Sequence, residues 1–111
     1  MNYQYHFCNH FKKQIKPYLR KYRSLFNDVI IALNTFDPRL AVRLKDGIYK
    51  IRLKSRDIPR GKSHAFRMII LLIIEEGLLV PVMIYFKGDQ ENVSKKEIAY
   101  HLAIIEAEIN L

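Results

Sequence analysis

The side chains best suited to chemistry in this sequence are cationic and phenolic. Between positions 49 and 54, Tyr49, Ile51 and Leu53 alternate with Lys50, Arg52 and Lys54. Successive side chains of a strand point to opposite faces, so this spacing puts three apolar groups on one face and a row of three cations on the other. Arg67 at the start of the next apolar run, and Tyr85 and Lys87 in the one after it, reach the same face if the strands pair in chain order. Such a set can cleave a phosphodiester bond of RNA without a metal. A base takes the proton of the 2′-hydroxyl and the oxygen attacks the adjacent phosphorus. Cations stabilise the charge growing on the phosphoryl oxygens, and an acid protonates the leaving 5′-oxygen. Lysine or tyrosine as the base needs a lowered pKa, which neighbouring cations would provide. The same row would equally serve as a solvated face or as a non-catalytic phosphate contact.

Other chemistries find less support. The carboxylates fall in turns or on helix surfaces, and no two share a strand face. His6, His10, His64 and His101 are scattered without the spacing of metal ligands, so no metal site is expected. Gly61-Lys62-Ser63 resembles the end of a phosphate-binding loop, but the upstream glycine is missing because position 56 is Arg. Cys8 is the only cysteine; it excludes an internal disulfide, reads as a packing residue and suits a reducing compartment, the cytoplasm.

Charge is distributed unevenly. The chain has 111 residues and a net charge of +8, with half its residues hydrophobic. That length predicts one domain, 1–111, with its own core. Residues 1–67 carry 16 basic and 4 acidic side chains, whereas residues 68–111 carry 3 and 7. The basic half favours phosphates, acidic lipid or an acidic protein partner. Met1 to His10 do not read as a secretory signal. The longest apolar run, Met68 to Ile74, is far shorter than the roughly 20 residues of a membrane helix.

The elements that must position the cationic row follow from periodicity. Asn2 to Phe7 alternates as a short strand. From Asn9 the spacing turns helical, with Phe11, Ile15, Tyr18, Leu19 and Tyr22 on one face; Pro17 predicts a kink or a restart. Ser24 is placed to cap a second helix bearing Leu25, Val29, Ile30, Leu33 and Phe36, which Asp37-Pro38 ends. A connector with Leu40, Val42 and Leu44 leads to a turn at Asp46-Gly47 and then to the strand of the cationic row. Arg56 to His64 reads as a loop. A strand over Ala65 to Ile74, a turn at Glu75-Glu76-Gly77 and a strand over Leu79 to Lys87 complete an antiparallel meander. In the last of these, Val80, Val82, Ile84 and Phe86 are expected on one face, with Met83, Tyr85 and Lys87 on the other. Pro81 points to an edge or an irregularity there. Ser94 and Glu97 form a capping box that opens a last helix with Ile98, Leu102, Ile105 and Ile109 inward. The predicted class is α+β in the order β-α-α-β-β-β-α, with two N-terminal helices and one C-terminal helix gathered on one face of the sheet.

The runs Gly47-Ile-Tyr-Lys-Ile-Arg-Leu-Lys54, Arg60-Gly-Lys-Ser-His-Ala-Phe-Arg67, Ile84-Tyr-Phe-Lys87 and Ser94-Lys-Lys-Glu-Ile98, taken in order, resemble the RelE/ParE superfamily of bacterial toxin–antitoxin toxins, nearer to its RelE and HigB branches. The resemblance spans nearly the whole chain. It implies a RelE-like fold and a cofactor-free endoribonuclease that cuts mRNA in the ribosomal A site, inhibits translation and is silenced by a cognate antitoxin. By the same resemblance Lys50 and Arg52 match the cationic strand positions, and Arg67 matches the arginine that binds the scissile phosphate. Lys54, Arg60 and Lys62 match the basic loop that contacts RNA or ribosomal RNA, and Arg56, His64 and Lys87 are the further candidate RNA-binding residues of this chain. Many relatives have Gly-Gly where this chain has His64-Ala65. The carboxy-terminal acid or base is matched best by Tyr85, with Tyr100 and His101 as helical alternatives. The alternative within the superfamily is a ParE-like inhibitor of DNA gyrase, which shares the fold but generally lacks the cationic set. A third reading is a basic RNA-binding module without chemistry.

Overall fold

The computed structural model describes residues 3–53, 66–88, 90 and 92–110. A short strand β1 (Gln4–Tyr5) is followed by helices α1 (Asn9–Leu19) and α2 (Leu25–Asn34). Strands β2 (Val42–Lys45), β3 (Ile48–Leu53), β4 (Phe66–Ile73) and β5 (Leu78–Phe86) come next, and helix α3 (Lys95–Glu108) closes the chain. The expected order is present, with one further strand. The connector holding Val42 and Leu44 pairs with β3 as β2, because Asp46-Gly47 closes a two-residue hairpin in which Gly47 has φ +75°. A Cβ at Gly47 would also lie 3.2 Å from the Leu72 carbonyl oxygen.

The sheet order is β1-β5-β4-β3-β2. β2 to β5 form the expected antiparallel meander, whereas β1 lies parallel to β5, with Gln4 opposite Leu78. Beyond β1 the open edge of β5 is met by a side chain. Gln14 of α1 donates from Nε2 to the Val82 carbonyl at 3.0 Å and accepts from the Ile84 amide at 3.2 Å. Its carboxamide thus substitutes for a neighbouring strand.

The helices do not gather on one face. α1 and α2 cover the face bearing Tyr49, Leu53, Phe66, Met68, Ile70, Leu72 and Ile84, whereas Leu102 and Ile105 of α3 pack on the opposite face with Ile48, Ile69, Val80 and Met83. Both faces of the central strands are therefore buried, which is why β4 reads as a continuous apolar run with little alternation. The face assignment in β5 also differs. The register shifts at Pro81, leaving Val82 between the Ile69–Met83 and Ile70–Pro81 pairs. Across this bulge Val80 and Val82 join Met83 and Tyr85, not Ile84 and Phe86. Pro81 does mark an irregular position.

A capping box sets where α3 begins. Ser94 Oγ accepts from the Glu97 amide at 3.1 Å and Glu97 Oε1 accepts from the Ser94 amide at 3.3 Å, the expected capping box. Ser24 stands at the start of α2, but its hydroxyl donates to the Asp28 carboxylate at 3.2 Å and does not cap a backbone amide. Pro17 lies inside α1, which ends two residues later; α2 restarts at Leu25.

Candidate functional site

Strand register brings the central candidates into one row. Arg52 of β3 stands opposite Arg67 of β4, and Arg67 stands opposite Tyr85 of β5. Directly opposed residues lie about 5 Å apart at Cβ, so the three side chains form one transverse line across the sheet. Lys50 lies two residues along β3 from Arg52 and shares its face, which is the face that α3 partly covers. Placing two arginines opposite each other is unfavourable by itself.

Burial grades along the row. Arg52 is exposed, Lys50 and Arg67 are partly buried, and Tyr85 is only 3% exposed, within the core built by α3. Burial, followed by the charge of Arg52, lowers the pKa of Arg67, while Tyr85 works in the opposite sense. For Tyr85 burial raises the phenol pKa and outweighs Arg67, and Glu97 of α3 raises it further. Tyr85 is thus held as a neutral phenol, contrary to the expectation that nearby cations would turn it into a base. It can donate a proton or orient Arg67.

Lys87 follows the last residue of β5, in a turn where the Gln90 amide donates to the Phe86 carbonyl at 3.3 Å. Lys54, Arg56, Arg60, Lys62 and His64 lie outside the described residues. Of the helical alternatives, Tyr100 is 64% exposed. His101 instead pairs with His10 of α1, Nδ1 to Nε2 at 2.7 Å. Burial and the neighbouring His10 lower the His101 pKa, and Glu97 raises it.

That histidine pair is absent from any sequence spacing, since 91 positions separate its members. A second long-range contact lies beside it. Glu108, at the end of α3, accepts from the Asn9 and His10 amides at 2.8 Å each and caps α1 from another helix. These backbone bonds, His10 first, hold the Glu108 carboxyl below its ordinary range. The only trace in the sequence is an omission: Cys8 cannot cap α1, and the first turn of α1 has no acid. No group of three or more metal-ligating side chains occurs among the described residues.

No family model and no curated protein matches the chain. Its backbone does match a solved structure, the free state of a double arginine-to-alanine mutant of E. coli toxin RelE. The TM-score is 0.54 over 92% of this chain and 99% of that one, at 16% identity. The chain has the RelE fold. The expected α+β architecture is thereby established, and the Arg52–Arg67–Tyr85 row lies on the sheet of that fold. No helix among the described residues is long and apolar enough to cross a membrane.

Proposed function

We propose that this chain is the toxin of a bacterial toxin–antitoxin pair, a single RelE-like domain over 1–111 that acts as a metal-independent endoribonuclease on mRNA in the ribosomal A site. The cross-strand alignment of Arg52, Arg67 and Tyr85, with Lys50 beside it, carries this reading. Arg67, flanked by Arg52, holds the scissile phosphate and stabilises the charge that develops on its oxygens. Lys50 takes the 2′-hydroxyl proton or adds to that stabilisation. Tyr85, neutral and behind Arg67, serves as proton donor or as the group that orients the guanidinium. Lys54, Arg56, Arg60, Lys62, His64 and Lys87 extend the cationic surface to flanking RNA and ribosomal RNA. The reaction needs no cofactor. A cognate antitoxin covers the toxin in the cytoplasm and blocks translation arrest until it is lost.

The test is induction in cells followed by primer-extension mapping of RNA 5′ ends on several translated messages, with Arg67→Ala as control. New cuts at defined codon positions that disappear in the control are the expected result. Growth arrest with intact messages would replace the nuclease with a ParE-like action on gyrase. Intact messages without arrest would leave a binding module.

A further inference from the structure

A cavity of about 410 Å³ opens between the β2–β3 hairpin and the chain entering α3. This is within the size range of small-ligand sites. Leu44, Ile48, Val93 and Ile98 give it an apolar lining. Lys45, Lys50 and Lys95 add positive charge to that lining, and among the described residues Asn92 adds a carboxamide. The shape depends on a β-bulge. The register of β2 against β3 shifts between Arg43 and Lys45, which turns Leu44 and Lys45 toward the same cavity. The capping box already occupies the Ser94 and Glu97 amides, so attraction for an anion here comes chiefly from the lysines.

Cations alone would suit a bare phosphate, and an apolar lining alone would suit a hydrophobic side chain. A flat base attached to phosphates uses both, together with a hydrogen-bonding group at its edge. Lys50 lines the cavity and also stands beside Arg52, so the cavity continues the cationic row. We propose that it seats one nucleobase of the RNA strand next to the scissile phosphate. Lys45 and Lys95 hold the phosphates on either side, and Asn92 reads the edge of the base. This rests on the nuclease reading for its substrate but not for its test.

The test is a titration of the ¹⁵N-labelled protein with each nucleoside 5′-monophosphate, with ribose 5-phosphate and inorganic phosphate as comparison ligands. At least one mononucleotide is expected to shift the Ile48, Val93 and Ile98 amides saturably, while the two base-free phosphates leave them in place. Asn92→Ala, at an exposed position, should weaken the preferred nucleotide about tenfold, as expected for losing the hydrogen bonds of one amide group. No shift with any mononucleotide would overturn the proposal, as would equal shifts with inorganic phosphate. Nucleotide shifts in a protein that cleaves no message would uphold the cavity and reject the nuclease.

Discussion

Arg67→Met separates what this side chain does for the site from what it does for the fold. Burial and the opposed Arg52 both disfavour the charged guanidinium in the folded protein. Methionine keeps an unbranched stem to fill the same space between Arg52 and Tyr85 and removes the charge. Relief of a like-charged cross-strand pair is worth roughly 0.2–1 kcal/mol. Set against the contacts that the guanidinium gives up, this relief should keep the change in unfolding temperature to a few degrees in either direction, at about 4–8 °C per kcal/mol for a domain near this size. Cleavage on translating ribosomes should fall about 10²- to 10³-fold, or ~3–4 kcal/mol in the barrier, as when one preorganised donor to a developing oxyanion is removed. Ile69→Ala is the matched control, two residues along the same strand and face and fully buried. It should cost about 2–5 kcal/mol of stability yet preserve cleavage per folded molecule. Calorimetry and a cleavage assay normalised to folded protein read both quantities. Wild-type cleavage by Arg67→Met would refute the phosphate-binding role. A loss of stability as large as that of Ile69→Ala would make Arg67 a structural residue.

The remaining predictions concern contacts between elements. Gln14→Ala removes two hydrogen bonds from the open edge of β5 and should cost about 2 kcal/mol, read as a drop of roughly 10 °C in Tm; an unchanged Tm would mean that water replaces the carboxamide without loss. The His10–His101 bond needs one unprotonated ring nitrogen, and the folded protein holds the His101 pKa below its ordinary 6.5. The unfolded chain therefore takes up the proton first as pH falls, so this contribution is complete above about pH 6.5 and fades below it. Thermal midpoints from pH 7.5 to 5.5 should fall for the natural chain and fall less for His101→Gln. Gly47→Ala forces a side chain to adopt φ +75° near the Leu72 carbonyl and should destabilise the β2–β3 hairpin by about 1–2 kcal/mol, measured by chemical denaturation.

Local rules made much of this architecture legible. Strict alternation over 49–54 located β3 and its cationic face, the Ser94–Glu97 spacing located the start of α3, and Gly47 and Gly77 both turn the chain with positive φ. The row of Arg52, Arg67 and Tyr85 followed from pairing strands in chain order. Contacts set by tertiary packing were not legible. The bulge at Pro81 reverses which side chains of β5 face α3, and strand alternation alone cannot show where a register will slip. The side of the sheet taken by α3 depends on both faces of β4 being apolar, a pattern equally compatible with one buried face and a partner elsewhere. Tyr85 was legible as a neighbour of Arg67 but not as a buried phenol, because its burial comes from a helix packed on from farther along the chain. The His10–His101 pair and the Glu108 cap join α1 to α3 across almost the whole sequence, beyond any spacing rule.

In the proposed mechanism Lys50, Arg52 and Arg67 promote attack by a 2′-hydroxyl on its own phosphodiester. This step is tested most directly on ribosomes programmed with a short synthetic message that carries 2′-deoxyribose at the mapped cleavage position, with the all-ribose message in parallel. The all-ribose message should be cut to leave a 2′,3′-cyclic phosphate, identified by mass spectrometry, and the single deoxy substitution should abolish the cut. Cleavage of the deoxy message at the same bond, or a free 3′-hydroxyl on the upstream fragment, would contradict it.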